Sequence, residues 1–396
     1  MIINDTLLIL GGDTNTTDYE FELFYLDLSK KFDNYNLTWT LIENKGLPVY
    51  VHRSTSVLSL DNSTVYLIGG LMQNRKTKEY DYSNLVYTYD YPTSKWSAPV
   101  LDGDAKARQN IKGVIDDSGN IYIFGGFNAT NLTSFSGEMF NDMNVLNTVS
   151  NTWTTLSIFK NLPLPCSEYT ANILPNGTII YIGGLEQVGA FFTLVDMKKI
   201  KLFDTHKHEW SQMNATGEEI DSRIYFSSVL TPDGHIIIFG GISYSGGDVY
   251  IVSVSPKLAT LDTNKNPFIW SIPYNSEINA PPSIYGHTAD LYYDYMIITF
   301  GSELDLNTFS SQEYFYNIKN NKWVTTFIPL INETPTQTPT QTPTPTPSAT
   351  PTPKYFKWLA IGFGIGLGAP LLISCVTIII VRRIRGSSVI ETVVDL

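Results

Sequence analysis

The side chains able to do bond-making chemistry in this chain are few and scattered. Five histidines (His52, His206, His208, His235, His287) and two cysteines (Cys166, Cys375) supply all of its imidazole and thiol groups. A zinc or copper centre draws on convergent imidazole and thiolate ligands. Only His206 and His208 stand close in sequence, in the turn-like run DTHKHEW. The chain has no HExxH, no Gly-x-Ser-x-Gly, no GxxxxGK and no Cys-x-x-Cys. The spacings of a zinc hydrolase, a nucleophile elbow, a phosphate cradle and a redox dithiol are therefore missing. Arg53, Arg108, Arg223, Tyr285 and His287 recur just ahead of apolar runs, at equivalent points near the starts of inner strands, and form the candidate ligand-binding set. No catalytic residue, metal or cofactor is assigned, and the chemistry that suits these groups is non-covalent recognition. Bracing of the scaffold through hydrogen bonds is the competing role for the same side chains.

Charge narrows the partners. The 396 residues carry 26 basic and 38 acidic groups, a net charge of -12, and no basic block precedes the last forty-odd residues. A surface that tracks phosphates needs the opposite balance, so nucleic acid is not an expected partner. Residues 1 to 353 alone hold 21 basic and 36 acidic groups, a balance of -15 that disfavours anionic lipid and polyanions. Aromatic residues at 13% against only 16% charged residues favour pleated, half-buried strands over solvated helices.

The elements that must position these groups repeat. Glycine pairs fall at Gly11/Gly12, Gly69/Gly70, Gly125/Gly126, Gly183/Gly184 and Gly240/Gly241, with Gly301/Ser302 as a sixth, degenerate copy. Trp39, Trp96, Trp153, Trp210, Trp270 and Trp323 keep the same beat of nearly 60 residues. Each glycine pair ends an apolar run (LLILGG, VYLIGG, IYIFGG, IIYIGG, IIIFGG, ITFGS), most of them preceded by a turn such as Asp61-Asn62-Ser63 or Asp233-Gly234. A later strand ends in Asp27, Asp90, Asn147, Asp204, Asp262 or Asn317, usually six residues before the tryptophan, which implies a second hairpin. Four strands per copy cannot bury their faces singly but can when set radially as blades. The glycines permit a tight turn after the inner strand and a close approach of neighbouring backbone.

These residues resemble the kelch family of β-propellers, whose repeat carries a double glycine, an aromatic-rich third strand with its Asp and a tryptophan in the fourth. The resemblance spans residues 1 to 330 and implies an all-β, six-bladed propeller. It implies long, varied connections after the glycine pairs, such as LMQNRKTKEYDY, FNATNLTSFSGEMFND and ISYSGGDVYIVS, on one rim, where binding usually resides. Galactose oxidase is built on the same kind of propeller, and a copper radical site like that enzyme's is a third reading. Such a site needs two histidines, two tyrosines and a cysteine, which His52, His287 and Cys166 supply poorly.

Beyond the propeller the sequence predicts a Thr/Pro stalk over 331 to 354, a membrane helix over 355 to 381 and a cytoplasmic tail over 382 to 396. Trp358 to Val381 is 24 residues without a charge, about 36 Å of helix, enough to cross a bilayer with modest tilt. Arg382, Arg383 and Arg385 mark the cytoplasmic side, so the propeller is expected outside the plasma membrane as a type I protein. The run TPTQTPTQTPTPTPSATPTP favours extended, solvated backbone. Sequons at Asn4, Asn15, Asn36, Asn62, Asn128, Asn131, Asn176, Asn214 and Asn332 are candidate glycosylation sites. Gly362, Gly364, Gly366 and Gly368 give two GxxxG spacings that predict a homodimer through the span. Only IIND precedes the first apolar run, so the first innermost strand is expected to be missing or nearly so, and Met1 to follow a lost upstream signal segment. The function these features predict is recognition or adhesion at the cell surface, with a protein or carbohydrate ligand on the long-loop rim. The alternative is a membrane-anchored cytoplasmic scaffold.

Overall fold

In a computed structural model of the chain, the structure describes residues 1–12, 20–43, 45–131, 136–245, 250–274 and 276–329. The predicted stalk, span and tail, with Asn15 and Asn332, lie outside the described residues. All regular structure among the described residues is β-strand.

Six sheets of four or more strands follow one another along the described chain. The first contains Ile2–Ile3, Thr6–Gly12, Glu20–Asp27 and Thr40–Leu41. The second contains Thr55–Leu58, Thr64–Ile68, Val86–Asp90 and Lys95–Ser97. The third is built from Val114–Ile115, Asn120–Asn131, Ser136–Asn147 and Thr152–Leu156. Thr170–Ile173, Thr178–Ile182, Lys199–Asp204 and Glu209–Asn214 make the fourth. The fifth holds Ser227–Leu230, His235–Phe239, Leu258–Asp262 and Ile269–Ser271, with Thr216–Gly217 added in parallel to the last. Thr288–Tyr292, Tyr295–Thr299, Glu313–Asn317 and Lys322–Val324 make the sixth. In each the four strands stand in chain order and pair antiparallel, as four-stranded copies require.

The apolar runs are continuous because both faces of each sheet are covered. Along Thr178–Ile182, Ile179 and Tyr181 pack toward the third sheet while Ile180 and Ile182 pack toward the fifth. The same alternation, period two for a strand, sends Ile236 and Ile238 to the fourth sheet and Ile237 and Phe239 to the sixth. The sixth sheet returns to the first: Leu7, Ile9 and Leu26 share a core with Tyr295, Ile297 and Phe315. Thr326–Phe327, after the sixth sheet, pairs with Phe32–Asp33, inside the first. The first strand of each sheet contacts the first strand of the next from the second sheet through to the sixth, and that of the sixth contacts Ile2–Ile3.

Three recurring residue types acquire definite work. The Asp or Asn closing each third strand accepts from the backbone of the following turn, as Asp90 Oδ1 does from Thr93 N at 2.9 Å and Asp204 Oδ1 from Lys207 N at 2.9 Å. Three of the tryptophans reach back to segments that follow strands of the preceding sheet: Trp96 Nε1 donates to Lys45 O at 3.0 Å, Trp270 Nε1 to Met197 O at 2.8 Å and Trp323 Nε1 to Ser276 O at 2.7 Å. The glycine pairs join each sheet to the next. A Cβ on Gly69, Gly125 or Gly240 would lie 2.6, 2.4 or 2.5 Å from the carbonyl oxygen of Arg108, Cys166 or Ile284. Among the second glycines, Gly70 N donates to Arg108 O at 2.8 Å, Gly184 N to Arg223 O at 3.1 Å and Gly241 N to Ile284 O at 2.9 Å. A Cβ on Gly70, Gly184 or Gly241 would itself meet the carbonyl oxygen of His52, Ser167 or Ile224 at 2.6, 2.5 or 2.6 Å.

The equivalence of the pairs expected from sequence needs correction in several copies. The chain does not turn after Gly125/Gly126: both lie inside the strand Asn120–Asn131, and the pair is absorbed as a shift of register between Phe124 and Gly126. Such a bulge takes up the extra residue while the strand runs on. A Cβ on Gly126 would accordingly meet a side chain first, Ile111 Cγ2 at 2.5 Å, with Gln109 O at 3.2 Å. In the fourth sheet a Cβ on Gly183 would meet the Phe226 ring at 2.9 Å and Met197 Sδ at 3.0 Å, so the close backbone approach falls to Gly184 alone. Gly12 meets nothing within 4 Å among the described residues.

The sixth copy is shifted by one residue. Its pair is Phe300/Gly301, not Gly301/Ser302, since Phe300 and Gly301 hold φ of 58° and 91° against 64° and 92° at Gly240 and Gly241. The opening strand of the first sheet is the two residues Ile2–Ile3. The Phe300 ring lies 5.7 Å from Trp39.

Candidate functional site

One position ahead of the first strand in five of the six sheets is left-handed. Arg53, Asn110, Glu168, Tyr225 and Gly286 have φ between 55° and 64°. Backbone bonds link them across sheets: Asn110 N donates to Arg53 O at 2.9 Å, Glu168 N to Asn110 O at 2.9 Å and Gly286 N to Tyr225 O at 2.8 Å. These residues border the inner strands and set the geometry of the mouth between them.

Side chains join the same set. Glu168 Oε1 accepts from Asn110 Nδ2 at 2.8 Å and from the Tyr225 hydroxyl at 3.0 Å. Its Oε2 is buried with no hydrogen-bond partner among the described residues. Burial pushes the Glu168 carboxyl up to about 7, against the opposing pull of the Tyr225 hydroxyl and the Arg53 charge. Burial, reinforced by Glu168, holds the Tyr225 hydroxyl well above its ordinary value. Tyr285 stands beside them, its ring 6.4 Å from that of Tyr225.

The five residues chosen from sequence occupy different registers rather than one. Arg53 is itself the left-handed residue and is exposed. Arg108 and Arg223 each lie two residues earlier, buried and committed to the scaffold. Arg108 donates to Gly125 O at 2.8 Å and pairs through both terminal nitrogens with Asp142 at 2.8 and 3.1 Å. Arg223 donates to Asp221 O, Gly240 O and Pro256 O at 3.0, 3.1 and 2.8 Å. Both bind the carbonyl of the first glycine in their own sheet, so the bracing role describes their geometry. His287 is buried with Nε2 2.7 Å from Ser227 Oγ, and burial lowers its pKa to about 3, leaving a neutral ring. Among the described residues, no group of three or more His, Cys, Asp or Glu side chains is placed to hold a metal ion.

Above the mouth the connections after the glycine pairs rise as hairpins. They include Leu71–Asn74 paired with Val49–His52, the extended arms of Asn120–Asn131 and Ser136–Asn147, Leu185–Val188 with Phe191–Leu194, Ile242–Ser245 with Tyr250–Ser253, and Ser302–Glu303 with Thr308–Phe309. The last three expose apolar side chains, Phe191 by 77%, Tyr250 by 66% and Leu306 by 67%. The opposite rim is made of short, self-capped Asp and Asn turns.

Sequence reasoning passed over Asn110, Glu168, Tyr225 and the aromatic hairpin of the fourth sheet. The repeat itself held the signal, since Arg53, Asn110, Glu168, Tyr225 and Gly286 are spaced 57, 58, 57 and 61 residues apart. Of the sequons, Asn4, Asn36, Asn62, Asn176 and Asn214 are exposed and Asn128 is half-buried.

Two family models match the chain. The Attractin/LZTR1 beta-propeller covers residues 115–342, and the KLHDC2/KLHL20/DRC7 Kelch-repeats domain covers residues 1–184. Among curated proteins, the chain is similar to Kelch domain-containing protein 3 of Bos taurus, 26% identical over 58% of this chain and 59% of that protein. Acyl-CoA-binding domain-containing protein 4 of Arabidopsis thaliana is 25% identical over 65% of this chain and 36% of its own length. The N-(sulfonatooxy)prop-2-enimidothioate sulfolyase of Thlaspi arvense is 23% identical over 56% and 59%. The match thus spans about three fifths of the first of these relatives.

Proposed function

Because this chain belongs to the kelch-repeat β-propeller family, we propose that it is a non-catalytic recognition module that binds a protein partner on its long-hairpin rim. Kelch propellers serve as protein-interaction scaffolds, and the observation that carries the reading here is the set of exposed aromatic side chains on the hairpins around the Glu168 mouth.

Two finer statements belong to the same proposal. The six sheets form six blades of a closed ring, supported by the shared core of the sixth and first sheets and by the Thr326–Phe327 pairing with Phe32–Asp33. The propeller is carried outside the plasma membrane on a glycosylated Thr/Pro stalk and one type I span, supported by the uncharged run Trp358 to Val381, the arginines after it and the exposed sequons. The sulfolyase's name describes that protein's activity; the residues around this chain's mouth offer a hydrogen-bonded carboxyl pushed up to about 7 and half-buried phenols rather than an assembled nucleophile and base.

Photo-crosslinking tests the rim assignment. Benzoylphenylalanine is placed at Tyr250 on the long-hairpin rim or at Val149 on the short-turn rim, in the full-length protein in its host cell. Discrete protein adducts from position 250 and none from 149 are expected. Equal labelling from both positions overturns the assignment.

A further inference from the structure

We propose that the outer strand of the fourth sheet's hairpin, Phe191–Leu194, pairs with the same strand of a second copy of this chain, antiparallel and in register about Thr193. The hairpin belongs to a small sheet ordered Cys166–Ser167, Leu185–Val188, Phe191–Leu194, and no strand lies on the far side of the last among the described residues. Its backbone directions are fixed by its neighbours. Facing residues in the hairpin are Val188 and Phe191, Gln187 and Phe192, Glu186 and Thr193, Leu185 and Leu194. Val195 N donates inward to Gly184 O at 2.9 Å, and Gln187 N donates the other way, to Pro165 O at 2.9 Å. Antiparallel pairs alternate between bonded and non-bonded, so Phe191 and Thr193 bond inward as Val195 does. The N–H and C=O groups of Phe192 and Leu194 point outward.

An open edge of this kind is a template for further pairing, and folds usually cover it or place a charge or proline on it. Other edges of this chain are guarded in those ways. Trp153 N, in Thr152–Leu156, donates to Asp102 O at 2.8 Å, and Thr216–Gly217 lies along Ile269–Ser271. Lys95–Ser97, Glu209–Asn214 and Lys322–Val324 each carry a charged residue. Residues 187–195 hold no charged residue and no proline, and Val188, Phe191 and Phe192 are exposed.

Register and charge select a second copy as the occupant. Under a two-fold axis at Thr193, Phe192 faces Leu194 of the second copy and Leu194 faces its Phe192, so every outward N–H and C=O of both residues gains a partner. Thr193 meets its own counterpart, a cross-strand pair that suits two hydroxyls. Residues 1 to 353 carry a balance of -15, so two copies repel one another. In this register the uncharged run lies against itself, and the first charge after it, Asp196, faces Ala190. One strand pair is a small contact, so the association is of the transient, concentration-dependent kind.

The test places single cysteines on the hairpin of the full-length protein in detergent solution. Thr193 is exposed, and in the proposed register its Cα lies about 4.5 Å from its counterpart, within reach of a disulfide. Ala190, also exposed at the hairpin tip, lies about 20 Å from its own counterpart. Under mild oxidation Thr193→Cys is expected to give a disulfide-linked dimer on a non-reducing gel, at least about fivefold more than Ala190→Cys or the unsubstituted chain. Adding Phe192→Pro removes an outward N–H, leaves the inward bonds of the hairpin in place and is expected to abolish that dimer. Equal crosslinking at 190 and 193, none at 193, or a 193 crosslink that survives Phe192→Pro overturns the proposal. Should the proline variant not fold, the contrast between 190 and 193 decides. The proposal goes beyond the rim reading without resting on it, and protein adducts at Tyr250 test that reading separately.

Discussion

Asn110 and Glu168 are joined twice, by the Asn110 Nδ2 bond to Glu168 Oε1 at 2.8 Å and by the Glu168 N–H bond to the Asn110 carbonyl at 2.9 Å. The pair stitches the segment ahead of the third sheet to that ahead of the fourth. It also buries a carboxyl group whose second oxygen has no partner among the described residues.

That burial makes stability depend on pH. Glu168 is raised to about 7 and Glu313, at the junction of the sixth and first sheets, to about 8, burial being the main cause for both, against 4.5 for an unperturbed glutamate. A raised folded-state pKa means the native chain holds protons that the unfolded chain has lost. The resulting stability is fully present below pH 4.5 and is lost as pH rises through 7 and 8. Unfolding free energy from chemical denaturation is expected to fall between about pH 5 and 8.5, by up to about 3–5 kcal/mol per group, one pKa unit being worth about 1.4 kcal/mol. Glu168→Gln and Glu313→Gln each flatten part of the fall; an unchanged slope in both contradicts the burial argument.

The inter-sheet glycines predict an asymmetry. Gly125→Ala sets a Cβ against the Cys166 carbonyl oxygen at 2.4 Å, from a left-handed backbone. Its cost is about 2–4 kcal/mol, because neither backbone can yield. Phe300→Ala, at the equivalent position in the sixth sheet, removes only a half-buried ring contact with Trp39 and costs about 1 kcal/mol. Urea denaturation of the two variants measures the difference, and equal losses would contradict the assignment of Phe300 to this register.

Paired tryptophans give a second contrast. Trp270 Nε1 donates to Met197 O at 2.8 Å, whereas the buried Nε1 of Trp210 has no partner among the described residues. Replacing either by Phe leaves a similar void, but only Trp270→Phe strands a buried carbonyl. Trp270→Phe should cost about 1–2 kcal/mol more than Trp210→Phe, as read by chemical denaturation; the reverse order would contradict it.

Much of this was legible in sequence because it rests on the chain's own period. The glycine pairs, the tryptophans and the Asp or Asn at the third-strand ends recur at intervals of nearly 60 residues, and each meets a local backbone demand that only a few residue types satisfy. The Phe300/Gly301 register escaped the pattern, since a phenylalanine holds the left-handed φ at a position where the other copies carry glycine. The bulge at Gly126 escaped it too, because a glycine pair reads alike whether the chain turns or runs on into a longer hairpin. Glu168 was missed because the five sister positions Arg53, Asn110, Glu168, Tyr225 and Gly286 share a left-handed φ and a location but no side-chain chemistry. Searching by residue type selected Arg108 and Arg223 instead, which the fold uses internally.

Recognition by a propeller held outside the cytosol is tested most directly by the gel mobility of the full-length protein, expressed in a eukaryotic host, before and after N-glycosidase. Asn36, Asn62, Asn176 and Asn214 are exposed on the surface, so a downward shift in apparent mass on treatment is expected. A membrane-bound protein whose mobility does not change would contradict this reading and place the propeller on the cytosolic side.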